Sequence, residues 1–429
     1  MATAVHGSGS QQARVFFLGE APGEVEEKTG IPFTGKAGAE FDYWLQRTCH
    51  LARKDVFVTN LYRYRPPANR DPTPLEIAGC EPDLWRELLT VGPRILATLG
   101  RLSTRWALGD WASMEATHGL PHLAALTSPW GEWSGTVVPI THPAAGLHQP
   151  TYYAWTVADF EALAEVLAGT RAVHRLDTEP TDYGWHTPAD LGRIRRTSLL
   201  GLDTEGSPRQ PWGLSYSVAP RHGRVIRAGD REALTAFDRA LVEQQPQLVL
   251  HYAPHDFRVL SGMGLNVDAW PGQVYDTMQL AYLAAQPQGL KTLAYRLCGL
   301  RLREYEDLVG EAADRLARGF LEAAATLLAP REGEKPTPIL RAVRRSLKSA
   351  SPRALWGRQR EDIREVVAGV CGAMPEASLD EVPVEEALAY ACADADATRR
   401  VFLVLRDQFD YDQAIARDGY APTGIPHGA

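Results

Sequence analysis

A chain of 429 residues with 45% hydrophobic content can bury more than one core, so two or three domains are expected. Its formal net charge of -8 excludes a global basic field, and any grip on nucleic acid must come from local patches. Five scattered cysteines without CxxC argue against a disulfide framework or thiolate metal site, and no signal-like or roughly 18-residue apolar run appears, so a soluble protein of a reducing cytoplasm, without membrane contact, is expected.

Residues 1–12 are small and polar and read as a flexible N-terminus. Over 13–170 the apolar runs RVFFLGE, DVFVTNLY, RILATLG and TVVPITHP read as short buried strands alternating with amphipathic helices, an α/β pattern. Three loop motifs follow such strands: GEAPG, RYRPPANRDPTP and HPAAGLHQP. Ligands of parallel α/β sheets bind beyond the carboxyl ends of strands, so these loops should converge on one site. The charged, Pro- and Arg-rich stretch 171–195 reads as a linker leading into a second domain.

A second α/β stretch, 196–410, opens with closely spaced strands (SLLGLDTEG, WGLSYSVAP, GRVIRAG) and turns helical. Residues 303–388 are rich in Arg, Glu and Ala and read as a helical insertion; the Gly- and Pro-bearing 411–429 reads as a flexible tail.

Asp203 and Glu205 stand two apart after the apolar SLLGL, so on a strand both carboxylates project from one face, where they can share a metal. A DxE alone is more often a solvated strand edge, and Asp177 with Glu179 repeats the letters DTE without an apolar strand before them. Asp256 follows the apolar QLVL, and Tyr390 and Asp394 lie one helical turn apart. With YDTMQLAYL and GLKTLAYRLCGL, these segments resemble the proofreading exonuclease domain of family A DNA polymerases, and REYEDLV with the helical insertion resembles phage-type versions. That resemblance implies an RNase H-like fold with a mixed sheet and a DEDDy 3'-5' exonuclease. Asp203, Glu205, Asp256 and Asp394 would hold two Mg2+ or Mn2+ ions, and Tyr390 would orient the attacking water. Asp276 and Asp396 match the family but read as structural. Tyr252 and His255 depart from its usual asparagine and aromatic.

In the first half, GEAPGE, PFTGKAG, TNLYRYRPPANRDPTP, ILATLGR and HPA together resemble family 4 uracil-DNA glycosylases. That resemblance implies an α/β/α sandwich with a parallel sheet. Phe33 would stack on a flipped base, Asn60 would bind its Watson–Crick edge, and Glu20 would position or activate water. His142 would stabilise charge on the departing base, and Asn69 would hold the DNA backbone. Arg63, Arg65 and Arg70, interleaved with Tyr62 and Tyr64, read as a local phosphate-binding strip. The family's iron-sulfur cluster uses four cysteines, of which Cys80 alone has a counterpart here, so no cluster is expected.

The combined expectation is a DNA repair or replication hydrolase of a bacterial or phage-infected cell. It would trim single-stranded 3' ends, excise or recognise uracil or a modified base, and proofread for a separate polymerase. The alternative is a catalytically inactive first domain that tethers the exonuclease to DNA or to a polymerase.

Overall fold

The computed structural model describes residues 3–147, 149–270, 273–330 and 335–409. Two compact units divide the chain, Met1–Asp177 and Thr178–Ala429.

The first unit is built on strands β1 (Ser8–Gly9), β2 (Val15–Gly19), β3 (Phe57–Asn60), β4 (Ile95–Leu99), β5 (His122–Ser128) and β6 (Gly131–Ile140), in the order β1-β3-β2-β4-β6-β5. The central β3-β2-β4-β6 ladder is parallel. β1 and β5 pair antiparallel at the two edges, so the expected parallel sheet is in fact mixed. A two-residue connection from Ser128 to Gly131 permits only an antiparallel return for β5 and β6. Every residue of β2 is buried because both faces are covered: Val15 and Phe17 pack with Phe41 and Phe160, while Phe16 and Leu18 pack with Leu84 and Leu88. The Pro74–Val91 helix starts at a Thr73 and Glu76 capping box and stops at left-handed Gly92.

That helix also carries a buried polar tie. Glu87 accepts from the Thr59 hydroxyl at 2.8 Å, the Arg63 guanidinium at 2.6 Å and the Gly7 amide at 2.9 Å. One carboxylate thus joins the helix, β3 and the N-terminal segment, so residues 3–12, expected to be flexible, are instead held by β1, by this bond and by buried Val5.

The second unit holds β7 (Asp182–Trp185), β8 (Leu199–Gly206), β9 (Pro211–Ser217), β10 (His222–Arg227), β11 (Gln247–Leu250) and β12 (Val274–Asp276), in the order β12-β11-β8-β9-β10-β7. β8, β9 and β10 form an antiparallel meander, and β11 and β12 extend it parallel to β8, as an RNase H-like sheet requires. β7 pairs parallel to β10. The span 171–195 is therefore not a linker throughout, since its Asp182–Trp185 is an edge strand of this sheet. Four residues are too few for a periodic signal.

Leu202 and Leu214 on one face of the sheet pack with Phe237 and Leu260 of the Arg231–Gln244 and Ala253–Gly262 helices. Leu199 and Val249 on the other face pack with Ala397, Val401 and Phe402 of the Val384–Phe409 helix. That helix comes so close that a Cβ on Gly201 would lie 2.6 Å from the Ala395 carbonyl oxygen, and one on Gly223 2.6 Å from Cys392 Cβ. The insertion forms helices Tyr305–Leu327, Pro338–Leu347, Pro352–Gly357 and Glu361–Cys371 around Leu321, Val343, Trp356 and Val367. Its expected end at 388 falls inside the Val384–Phe409 helix. The tail 411–429 lies outside the described residues. No helix among the described residues is long and apolar enough to cross a membrane.

Two candidate active sites

In the first unit, four central parallel strands deliver their carboxyl ends to one place. β2 leads into Glu20, β3 ends on Asn60, β4 leads into Gly100, and β6 leads through Thr141 into His142. Gly19 pairs in register with Asn60, and its missing side chain is the notch that holds two groups together. A Cβ there would lie 2.4 Å from Asn60 Oδ1 and 2.6 Å from the Phe33 ring. Gly100, at φ 98°, makes a second notch, where a Cβ would meet Glu20 Oε1 at 2.7 Å and His142 Cβ at 3.3 Å. Glu20, Phe33, Asn60 and His142 are thereby brought together through two glycines.

Phe33 has a left-handed backbone, φ 55°, and Arg53 donates to the carbonyls of both Pro32 and Phe33. Its ring lies 5.8 Å from that of His142 at an interplanar angle of 32°. Glu20 Oε1 accepts from the Leu102 amide at 2.8 Å, and burial raises its carboxyl above the usual range despite that bond. His142 Nδ1 accepts from the Ala144 amide at 3.2 Å, which leaves the proton of the neutral ring on Nε2. Burial lowers its pKa to about 4. Behind it, Asp159 accepts from the Thr141 amide at 2.7 Å and contacts His118 Nδ1 at 2.7 Å, fixing the backbone that carries His142. Sequence reasoning missed Asp159 and His118, because neither lies in a strand-end motif.

The phosphate strip needs correction at Arg63. Its side chain is 1% exposed and bonded to Thr59 and Glu87, so it holds the fold and cannot reach DNA. Arg65 is half-buried and donates to Asn69 Oδ1 at 2.9 Å, with Glu24 and Glu27 within 4 Å. Arg70 is exposed and makes a two-bond contact with Glu76. Asn69 itself is exposed in a left-handed turn. Cys80 is buried in the Pro74–Val91 helix, Cys49 is the other cysteine of this unit, and no set of three potential metal ligands gathers here among the described residues. These residues do not fit a four-cysteine iron-sulfur cluster.

In the second unit, β8 presents Asp203 and Glu205, and the close-lying Val384–Phe409 helix presents Asp394. One ligand oxygen from each lies within 4.8 Å of the other two. Burial, then mutual repulsion among these carboxylates and Asp256, raises the pKa of Asp203 well above the usual range. Glu205 is raised by burial first and by Asp394 next. Asp394 is raised to about 7 by burial, opposed by Lys291 and by the Tyr390 hydroxyl donating to it. Asp394 Oδ1 is buried without a hydrogen-bond partner among the described residues. Buried carboxylates that repel one another, one with an orphaned oxygen, fit a divalent cation.

Asp256 is placed differently. It is 2% exposed, outside the group of three, and its Oδ1 accepts from the Thr204 hydroxyl at 2.6 Å. Burial raises it to about 7. Tyr390 sits one turn before Asp394, and burial keeps its hydroxyl protonated. Lys291 Nζ lies 5.3 Å from the Tyr390 ring centroid and 2.9 Å from Glu304. Lys291 went unrecognised in GLKTLAYRLCGL because a lysine on an amphipathic helix ordinarily faces solvent. Asp276 caps the Thr277–Leu283 helix and accepts from the Tyr252 and Ala253 amides, while Asp396 accepts from Tyr183 and the Arg221 amide. Asp177 and Glu179 lie on no strand.

Comparison with known proteins separates the same two parts. The profile of the Uracil DNA glycosylase superfamily matches residues 6–166. The chain is 38% identical over 165 residues to the type-4 uracil-DNA glycosylase of Saccharolobus solfataricus, covering 38% of this chain and 76% of that protein. It is 31% identical over 167 residues to the DNA polymerase of Bacillus phage SP01, covering 38% of this chain and 17% of the polymerase. It is 31% identical over 160 residues to DNA polymerase I of Chloroflexus aurantiacus, covering 33% of this chain and 16% of that one.

Proposed function

Because the chain belongs, through its N-terminal unit, to the uracil DNA glycosylase superfamily, we propose that it processes DNA at two sites. The first unit would release uracil or a related base by hydrolysis, and the second would be a metal-dependent 3'-5' exonuclease that proofreads or trims for a separate polymerase. The observation that carries the nuclease reading is the convergence of Asp203, Glu205 and Asp394 within 4.8 Å.

At the first site the flipped base stacks on Phe33, and Asn60 reads its Watson–Crick edge. Glu20, held by the Leu102 and Arg101 amides, orients a water against the sugar carbon. The neutral His142 offers its Nε2 proton to the oxygen of the departing base, where negative charge gathers as the glycosidic bond breaks. At the second site Asp203, Glu205, Asp394 and Asp256 would hold Mg2+ or Mn2+, which supplies Lewis-acid polarisation of the phosphodiester. The protonated Tyr390 hydroxyl aligns the attacking water while Asp394 holds that hydroxyl. Lys291 adds positive charge beside Glu205 and Asp394.

A uracil-bearing oligonucleotide with a labelled 3' end tests both halves in one tube. Uracil release lost in Asn60→Ala but kept in Asp203→Ala, with the reverse for 3' nucleotide release, is the expected pattern. Wild-type protein that releases no uracil would favour the tether, and 3' release persisting in Asp203→Ala/Glu205→Ala would sink the nuclease site.

A further inference from the structure

Within a chain of net charge -8, residues 335–360 contain eight lysines and arginines and no acidic residue. The Pro338–Leu347 helix gathers part of this charge on one side. Leu340, Val343 and Ser346 are buried, and Arg341, Arg344, Arg345 and, just past the helix, Lys348 are exposed at the spacing of a single helical face. None of the four side chains has an ion-pair or hydrogen-bond partner among the described residues. The neighbouring helices differ: Glu361–Cys371 exposes Glu361, Asp362 and Glu365 beside Arg364, and Tyr305–Leu327 mixes both signs. Cations in a last turn complement the helix dipole, which accounts for Arg344 and Arg345 but not for Arg341 or for the lack of any acid across the span.

We propose that this face binds the phosphate backbone of the single-stranded DNA whose 3' end enters the carboxylate site. The inference rests on the nuclease reading of the second unit. Its geometry comes from the Tyr305–Leu327 helix, which spans the interval. Tyr305 at one end lies 6.2 Å from Tyr390. Leu321 and Ala324, near the other end, pack with Val343 of the basic helix. At 1.5 Å per residue, the sixteen residues from Tyr305 to Leu321 span roughly 24 Å, so the basic face would hold strand several nucleotides upstream of the cut. Four cations on one face, without a partner among the described residues, are the local patch that an otherwise acidic protein needs to hold such a strand.

The test uses the full chain with Arg341, Arg344, Arg345 and Lys348 all changed to Gln, and Arg344→Gln alone as a milder variant. Oligothymidylate binding is measured without divalent metal across a salt series. Single-strand contacts contribute about 0.7 to the log–log salt slope per phosphate neutralised, so the fourfold variant should flatten the slope by about 3 and the single variant by about 0.7. Hydrolysis of thymidine 5'-(p-nitrophenyl phosphate) with Mn2+, which needs no strand contact, should be unchanged. An unaltered slope in a variant that still hydrolyses this ester would overturn the proposal. So would equal loss of binding to polyglutamate, which would mark the face as a site for acidic protein. Failure of the wild-type protein to hydrolyse the ester would instead count against the nuclease reading, with the salt slope still judging the helix by itself.

Discussion

The Thr204 hydroxyl donates to Asp256 Oδ1 at 2.6 Å, tying the residue between the two β8 carboxylates to the acid that stands apart from them. Burial raises Asp256 to about 7, and this bond opposes the rise. Thr204→Val removes the hydroxyl's part of that opposition and keeps the backbone amides' part, and a bond of about 1 kcal/mol corresponds to about 0.7 pH unit. Protons compete with metal for a carboxylate, so the pH at which Mn2+ affinity reaches half its plateau should move upward by about that amount. Mn2+ titrations between pH 6 and 9 would detect it, and an unmoved midpoint would free Asp256 from any such control.

Tyr390→Phe removes one hydroxyl and leaves the ring against Tyr305 and Lys291. Loss of a group that aligns or assists the attacking water should slow 3' nucleotide release by about 10²-fold or more. Uracil release should be unaffected. Single-turnover rates on one doubly labelled strand would measure both.

Gly100→Ala places a methyl 2.7 Å from Glu20 Oε1, at a φ of 98° that side-chain-bearing residues rarely adopt. Backbone strain should cost about 1–3 kcal/mol. Displacement of Glu20 should also reduce base excision by at least about 10²-fold. Exonuclease activity retained by the same preparation would show that the loss is local.

Glu87→Ala would strand the Arg63 guanidinium in the core, a change that costs about 3–5 kcal/mol. Calorimetry should find the first unit's transition lowered. The double variant Arg63→Met/Glu87→Leu should recover much of the loss, since the desolvated charge goes with its partner. If Glu87→Ala unfolded at the wild-type temperature, the polar tie would be decorative.

His142, at about 4 in the folded protein against an ordinary 6.5, binds fewer protons folded than unfolded between those values. Stability should therefore rise with pH from about 4 to 6.5 and level off above, by about 3 kcal/mol in all, as the cost of a charged buried ring disappears. His142→Asn can still cap through its side-chain oxygen, and its stability should lack that slope. Urea titrations at pH 4.5 and 7 would compare the two proteins.

What the sequence made legible was the chemistry that sits at strand ends. Two acids after SLLGL had to share a face, and loops after parallel strands had to meet. Arg63 misled because YRYR looks solvated in a linear reading, whereas Glu87, a helix away, makes its burial tolerable. β1 and β7 were too short for periodicity to register. Tyr252 was visible as a departure, but its meaning was not: it occupies a left-handed position, φ 66°, where asparagine is favoured, and the Asp276 carboxylate holds the turn by its amides. Lys291 and Asp159 act through packing between distant segments, which no local pattern encodes.

Only hydrogen atoms separate β8 and β10 from the Val384–Phe409 helix at Gly201 and Gly223. The gap between the strand acids and Asp394 is thus a backbone dimension, set by the contact of two glycines with the helix and not by the length of any side chain. A methyl at Gly201 would widen the jaws of the cation clamp without touching a ligand. Selection on the reach of this clamp would accordingly be felt at two residues that carry no chemistry of their own.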